Sequence, residues 1–155
     1  MPSGWDQAPP KDDADYLERL SRAMFAAGLN WRVVDSKWPS FKKAFSGFSP
    51  AKVAALGEKD VARLMEDKGI VRNERKIRAT VENAKTMLEL KSKHGSFRGY
   101  LDSFGKKETA LIGDIQEKFS HVGPSSARTF LWMVDYPLTP TKEEKQWMKG
   151  HSDKS

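Results

Sequence analysis

The chain has no cysteine among its 155 residues, and this absence excludes several kinds of site. Disulfides, thiolate metal centres and cysteine nucleophiles are impossible, and the composition suits a reducing cytoplasm. Long apolar runs are also missing, because the longest, residues 24–29, has six residues, against the roughly 20 that cross a bilayer. Since the N-terminus has no apolar signal core, we expect a cytoplasmic protein without a membrane partner, associated with the nucleoid if the source is bacterial.

Histidine is nearly as scarce as cysteine. The three histidines, His94, His121 and His151, are far apart in the sequence, so they form no metal-ligand spacing. No Ser-His-Asp order and no glycine-rich nucleotide loop is present either. We therefore predict that the protein needs no metal and no cofactor.

The chain does contain a moderate basic excess and a clear helical pattern. Lys and Arg number 27 against 21 Asp and Glu, a net charge of +6, which is compatible with nucleic acid as a partner but does not demonstrate one. Apolar residues recur at three- and four-residue steps without strand-like alternation, so we predict an all-α fold of about eight short helices. The length suits one domain, at residues 12–138, with extended or flexible ends at 1–11 and 139–155.

Helix boundaries follow from capping residues, glycine and proline. The longest helical stretch is predicted over residues 72–94, closed by Gly95. A short helix that begins at Leu29 is expected to stop at Pro39, because proline lacks the amide donor that a helix interior needs.

Residues 119–127 have the pattern of the second half of a helix-hairpin-helix element, which we predict within 109–134. Val122 and Gly123 are followed by Ser125 and Ser126 at a helix start. Such a glycine lets the backbone approach a phosphate, and the free amides of the next helix point outward at the positive end of its dipole. Contacts of this kind hold DNA without reading its sequence. An ordinary tight turn is the alternative, and His121 replaces the usual first hairpin glycine.

A basic run is the second candidate contact with DNA. Arg72, Arg75 and Lys76 are three and four residues apart, so on one helix they share a face that would bind phosphate. A solvated charged face is the alternative interpretation.

Several short motifs then follow one another in an order that is specific. They are Ala27-Gly28-Leu29-Asn30-Trp31, Phe41 to Phe45, Gly47-Phe48-Ser49-Pro50-Ala51-Lys52-Val53-Ala54, Asp60-Val61, Leu64, Asp67, Gly69-Ile70-Val71-Arg72-Asn73, Lys76-Ile77, Asn83-Ala84, Gly95-Ser96-Phe97 and Phe119 to Gly123. Over about residues 12–134 this order strongly resembles the DNA-3-methyladenine glycosylase I family. That family belongs to the helix-hairpin-helix glycosylase superfamily, is all-α, and removes alkylated adenine from DNA by cleaving the N-glycosidic bond.

The resemblance implies a role for one of the five tryptophans. Trp31 matches the tryptophan that stacks on a base flipped out of the duplex. Spacing alone favours a different interpretation, because Trp31 and Trp38 are seven residues apart and share a helix face that would pack in the core.

The resemblance also implies two DNA contacts. Gly28 and Leu29 match the turn that enters the gap left by the flipped base. Val122, Gly123 and the Ser125 end match the hairpin that grips the phosphate backbone.

The chain departs from the family pattern at several positions. The pocket glutamate expected eight residues before Trp31 is Ala23. The N-terminal segment with a pocket tyrosine and a zinc-binding histidine has no match, and the Cys and His pattern of the zinc site is absent. Ser125 replaces the lyase lysine of bifunctional members, so any activity is predicted to be monofunctional. Asp135, twelve residues after Gly123, lies too early to match a superfamily catalytic aspartate.

Two hypotheses follow for the function. The first is a monomeric N-glycosylase that binds duplex DNA and excises alkylated, 3-methyladenine-type bases by hydrolysis. The second is a DNA-binding or lesion-sensing protein that kept the scaffold and lost hydrolysis. A protein-interaction module is a third class, without positive support. Ala23 is the feature that discriminates between the first two hypotheses, because it leaves the pocket without the family glutamate. A pocket carboxylate supplied by another residue, for instance Glu18 or Asp35, would favour the enzyme.

Overall fold

The computed structural model describes residues 9–139 together with residues 142, 145 and 146. Residues 9–139 form eight α-helices and no strand, which confirms the predicted all-α fold. The helices are α1 Asp13–Ala26, α2 Trp31–Ala44, α3 Pro50–Ala54, α4 Glu58–Met65, α5 Glu74–His94, α6 Phe97–Asp102, α7 Glu108–Lys118 and α8 Pro124–Met133, with one turn of 3-10 helix at Ser46–Phe48. None of the described helices is long and apolar enough to cross a membrane. Most of the two predicted flexible ends lies outside the described residues.

Helix α1 is the centre of the fold, because it packs against α2, α5 and α8. Asp12 caps it by accepting a hydrogen bond from the amide of Asp15. Leu17, Leu20 and Met24 recur at three- and four-residue steps and are fully buried, as a helix with one apolar face requires. Burial of each such side chain stabilises the fold by roughly 1.5–3 kcal/mol.

The predicted stop at Pro39 is wrong, because α2 continues through this proline. Proline inside a helix removes one backbone hydrogen bond and costs about 3 kcal/mol. Pro39 itself is exposed, whereas Val34, Trp38 and Phe41 on the same helix are buried in the core. The burial of these three side chains outweighs the lost hydrogen bond.

Helix α5 begins two residues later than predicted and ends where expected. Asn73 is its N-cap and accepts the amide of Lys76, so the helix starts at Glu74 and Arg72 lies in the preceding loop. At the other end Gly95 has φ +82°, a left-handed conformation that glycine adopts at low cost.

Candidate functional site

A cleft of about 350 Å³ opens between the end of α1, the turn that follows it and the start of α8. This volume is at the lower end of the range for ligand pockets, roughly 300–1,000 Å³. The cleft brings together residues that were predicted separately as base pocket, gap-entering turn and hairpin. Its lining residues are Ala23, Ala26, Ala27, Gly28, Leu29, Trp31, Ser125, Ser126 and Thr129.

The turn between α1 and α2 carries an exposed apolar side chain. Leu29 is 43% exposed, and its amide donates to the carbonyl of Ala26. Gly28 has φ +78°, which allows the tight turn. Asn30 then caps α2 by accepting the amide of Arg32 at 2.8 Å. A fixed turn with a protruding leucine has the character of the apolar wedges that proteins insert between bases.

The two tryptophans of α2 have different environments. Trp38 is buried, its Nε1 donates to Glu18 at 2.9 Å, and its ring stacks on those of Phe41 and Phe48. Core packing is therefore confirmed for Trp38. Trp31 is only partly buried, packs against the edge of the core and forms a wall of the cleft. An aromatic side chain in this position is able to stack on a flat base.

The start of α8 forms the opposite wall of the cleft. Gly123 is its N-cap, and the first intrahelical hydrogen bond runs from the amide of Ala127 to the carbonyl of Gly123. The amides of Ser125 and Ser126 precede this bond, so they lie at the positive end of the helix dipole. Gly123 and Ser125 are exposed, whereas Ser126 is 9% exposed and lines the cleft.

The hairpin does not need its glycine for the turn itself. Gly123 has φ −85°, which any residue adopts, and a Cβ added there would meet nothing within 4 Å. The left-handed residue is His121, with φ +56°, at the position where the helix-hairpin-helix pattern usually has its first glycine. The side chain of Val122 is buried at 5% exposure, so a contact with DNA from this residue has to come from its backbone.

Helix α5 supports both the hairpin and the turn. Asn83 is fully buried; its Oδ1 accepts the amide of Ser120 at 2.7 Å and its Nδ2 donates to the carbonyl of Ser120 at 3.2 Å. Seven residues earlier, on the same helix face, Lys76 Nζ donates to the carbonyls of Phe25 and Ala27 at 3.2 and 2.9 Å. In the sequence, Asn83 stood out only as part of the family motif Asn83-Ala84 and as an asparagine inside a helix, where its propensity is poor; neither signal indicated its partner.

No ionisable side chain is among the described residues that line the cleft. Ala23 contributes no polar group, and the two substitute carboxylates are engaged elsewhere. Glu18 lies 3.6 Å from Nζ of Lys42, and Asp35 lies 2.9 Å from the Arg22 guanidinium. Burial lowers the pKa of Arg22, and the hydrogen bond with Asp35 opposes this change. The cleft therefore offers an aromatic face and hydroxyl groups, but no acid.

The four basic side chains at and just before the start of α5 have different environments. Arg78 makes hydrogen bonds of 2.8 and 2.9 Å with Glu58, which raise the pKa of Arg78. Lys76 is bound to the end of α1, and burial lowers its pKa. Arg72 precedes the helix, so the predicted face of three basic residues is wrong. Arg72 and Arg75 are exposed and have no hydrogen bond or ion pair within the described part of the chain.

The side chains present do not fit the zinc site that the family resemblance implies. Structural zinc takes four ligands, usually with cysteine among them, and the chain has no cysteine. His94 packs edge-on against the ring of Tyr100, His121 lies in the hairpin, and His151 is outside the described residues. Residues 9–139 contain no cluster of three His, Asp or Glu side chains able to hold a metal. Metal independence stays a prediction.

Solved structures that share this architecture define its class, the all-helical DNA glycosylases. A crystal structure of 3-methyladenine DNA glycosylase I matches with a TM-score of 0.76 and 25% identity, over 86% of this chain and 84% of that one. The Staphylococcus aureus 3-methyladenine DNA glycosylase I matches with a TM-score of 0.76 and 25% identity, over 91% of this chain and 87% of that one. Residues 3–129 also match the methyladenine glycosylase family model. The chain belongs to the methyladenine glycosylase family.

Two curated relatives agree with this assignment. The chain is 35% identical over 96 residues to the DNA-3-methyladenine glycosylase 1 of Escherichia coli K12, over 62% of this chain and 51% of the relative. It is 31% identical over 109 residues to the DNA-3-methyladenine glycosylase of Haemophilus influenzae Rd. That alignment covers 70% of this chain and 58% of the relative. The chain spans a little more than half the length of these relatives.

Proposed function

We propose that the protein is a monofunctional DNA N-glycosylase that binds duplex DNA and removes alkylated bases of the 3-methyladenine type. The cleft is the observation that supports this most, because it joins Leu29, Trp31 and the start of α8 in one place. A similar structure, 26% identical with a TM-score of 0.76, was solved in complex with 3-methyladenine. A monomer would be sufficient, since a single chain supplies every part of the cleft.

Each wall of the cleft has a distinct task in this proposal. Leu29 fills the space in the stack that the base leaves; extrusion costs a few kcal/mol, and less at a damaged pair. The extruded base stacks on Trp31, an interaction worth about 1–3 kcal/mol. The amides of Ser125 and Ser126 bind a backbone phosphate, and the exposed Arg72 adds a second phosphate contact.

The reaction needs little acid catalysis when the base is already cationic. N3-alkylated adenine leaves as a neutral base when the N-glycosidic bond breaks and its electron pair stays with the base. Water adds to the anomeric carbon and loses a proton to solvent. The face of Trp31 stabilises the cationic base before cleavage. Because Ser125 offers no amine, the sugar is not attacked by the protein, and the backbone stays intact.

Ala23 is the observation that favours a second function, lesion binding without hydrolysis. The lining of the cleft has no carboxylate to orient the base or to stabilise a sugar cation. A protein with this cleft would hold a flipped base on Trp31 without accelerating its release.

Release of free base from methylated DNA, measured by chromatography with protein in excess, separates the two functions. We expect the wild type to release alkylated base and Ala23→Glu to release it faster, since a carboxylate then faces the cleft. Ala14→Glu, which adds the same charge near the start of α1 away from the cleft, is the control and should change nothing. Preferential binding of methylated duplex with no release by the wild type or by Ala23→Glu would favour the second function. Equal binding of methylated and intact duplex, with no release of base, would contradict both.

A further inference from the structure

The end of α1 depends on a side chain from a distant part of the chain. The last carbonyls of a helix lack partners within the helix. Those of Met24 and Ala26 accept backbone amides of the following turn. Those of Phe25 and Ala27 accept hydrogen bonds from Nζ of Lys76, at 3.2 and 2.9 Å. Lys76 thus satisfies the carbonyls that the turn leaves open.

The charge of Lys76 matters as much as its hydrogen bonds. Helix α1 has no basic residue in its last turn, so its negative end is not balanced by its own side chains. The Lys76 ammonium supplies that balance from the first turn of α5. Without it, negative carbonyls would lie directly behind Leu29, on the side where our proposed function brings the phosphates of DNA.

We propose that Lys76 is a positioning residue that holds the turn 27–30 so that Leu29 protrudes in a fixed conformation. The use of that protrusion to fill a gap in the duplex rests on the proposed function. The hydrogen bond from the Leu29 amide to Ala26 reports on the turn directly. Arg75, the residue before Lys76, has no contact of this kind within the described residues and serves as a matched control.

Two measurements on Lys76→Met, Lys76→Arg and Arg75→Met test this proposal. The first is hydrogen exchange of the Leu29 amide by NMR, on the full chain without DNA. The second compares affinity for a duplex that contains an abasic-site analogue with affinity for the intact duplex, by fluorescence anisotropy at one salt concentration. The abasic duplex presents the gap that Leu29 would fill.

We expect Lys76→Met to speed exchange of the Leu29 amide and to reduce the preference for the abasic duplex by about tenfold, or about 1.4 kcal/mol. Its affinity for the intact duplex should fall less than its affinity for the abasic duplex. Lys76→Arg should retain both properties, because guanidinium keeps the charge and the donors. Arg75→Met should weaken binding to both duplexes equally and leave exchange unchanged.

Unchanged exchange in Lys76→Met would overturn the proposal, as would faster exchange with an unchanged preference for the abasic duplex. Exchange that accelerates equally in α7 would indicate a general loss of stability and would also overturn it. If the wild type binds neither duplex, the proposed DNA function fails, while exchange at Leu29 still decides whether Lys76 positions the turn.

Discussion

In the hairpin, the left-handed backbone conformation and the open face for a ligand belong to two different residues, His121 and Gly123. His121 adopts the left-handed conformation, with φ +56°, which costs a residue with a Cβ roughly 1–2 kcal/mol. Gly123 has ordinary dihedral angles and an open face where a Cβ would touch nothing. The fold therefore does not require glycine at position 123, and a requirement there would come from a ligand.

Gly123→Ala should accordingly separate folding from DNA binding. The unfolded state loses conformational freedom, so we expect stability to be unchanged or raised by about 0.4–1 kcal/mol. The added methyl group would keep a phosphate from the amides of Ser125 and Ser126, so affinity for duplex DNA should fall. Thermal melting and anisotropy measure the two effects. Gly113→Ala, at an open position in α7, is the control and should leave DNA affinity unchanged. Equal affinity in both variants would exclude the hairpin as a phosphate contact.

The two tryptophans of α2 allow effects on fold stability to be separated from effects on DNA binding. Trp38→Ala should destabilise the fold by about 3–5 kcal/mol, because it leaves a cavity among stacked rings. Trp31→Ala should cost clearly less, since Trp31 is partly exposed, yet abolish the preference for damaged duplex. Melting temperature and binding of damaged against intact duplex test both. A large stability loss in Trp31→Ala with unchanged preference would exclude Trp31 as a base-stacking residue.

At the scale of elements, α5 links the two loops that we propose to contact DNA. Lys76 and Asn83 are seven residues apart, about 10 Å along one helix face, and each bonds to the backbone of a different loop. Because α5 also packs against α1 and α3, the two loops are fixed relative to each other. A precise spacing between a wedge and a phosphate contact requires such a common support.

Asn83→Ala tests this support from the hairpin side. It leaves the partly buried amide and carbonyl of Ser120 without their side-chain partner, at a cost of about 1–3 kcal/mol. We expect faster hydrogen exchange in the hairpin and weaker DNA binding, with the turn at Leu29 unaffected. Glu82→Ala, an exposed neighbour on α5, should change neither property. Unchanged DNA affinity in Asn83→Ala would mean that the hairpin holds its conformation without α5.

The elements show which parts of the structure the sequence determines locally. The closing glycine Gly95 gave a correct helix end because its effect acts within one turn. Pro39 misled the prediction because tertiary packing outweighed a local rule. The contacts of Lys76 and Asn83 were not predictable, since they join residues separated by 37 to 51 positions.

At the scale of the whole molecule, the net charge of +6 does not identify the surface that faces DNA. In the structure some basic side chains already have hydrogen-bond partners within the protein, so fewer remain as candidates for contact with phosphate. Arg78 is bound to Glu58 and Lys76 to α1, whereas Arg72 and Arg75 remain exposed. Both precede Lys76, by four residues and by one, and Lys76 is bound to the carbonyl of Ala27 in the turn that carries Leu29. We therefore expect the phosphate contacts around the start of α5 to come from this pair.

Replacing Arg72 and Arg75 together by alanine should weaken binding to duplex DNA of any sequence. Each phosphate contact contributes about 0.9 to the slope of log affinity against log salt, so the double variant should lower that slope by up to about 1.8. Anisotropy titrations over a series of salt concentrations measure it. Arg78→Ala removes one positive charge from α5, and that charge is already neutralised by Glu58, so its slope should match the wild type. If the double variant lowers the slope no more than Arg78→Ala does, neither Arg72 nor Arg75 touches phosphate.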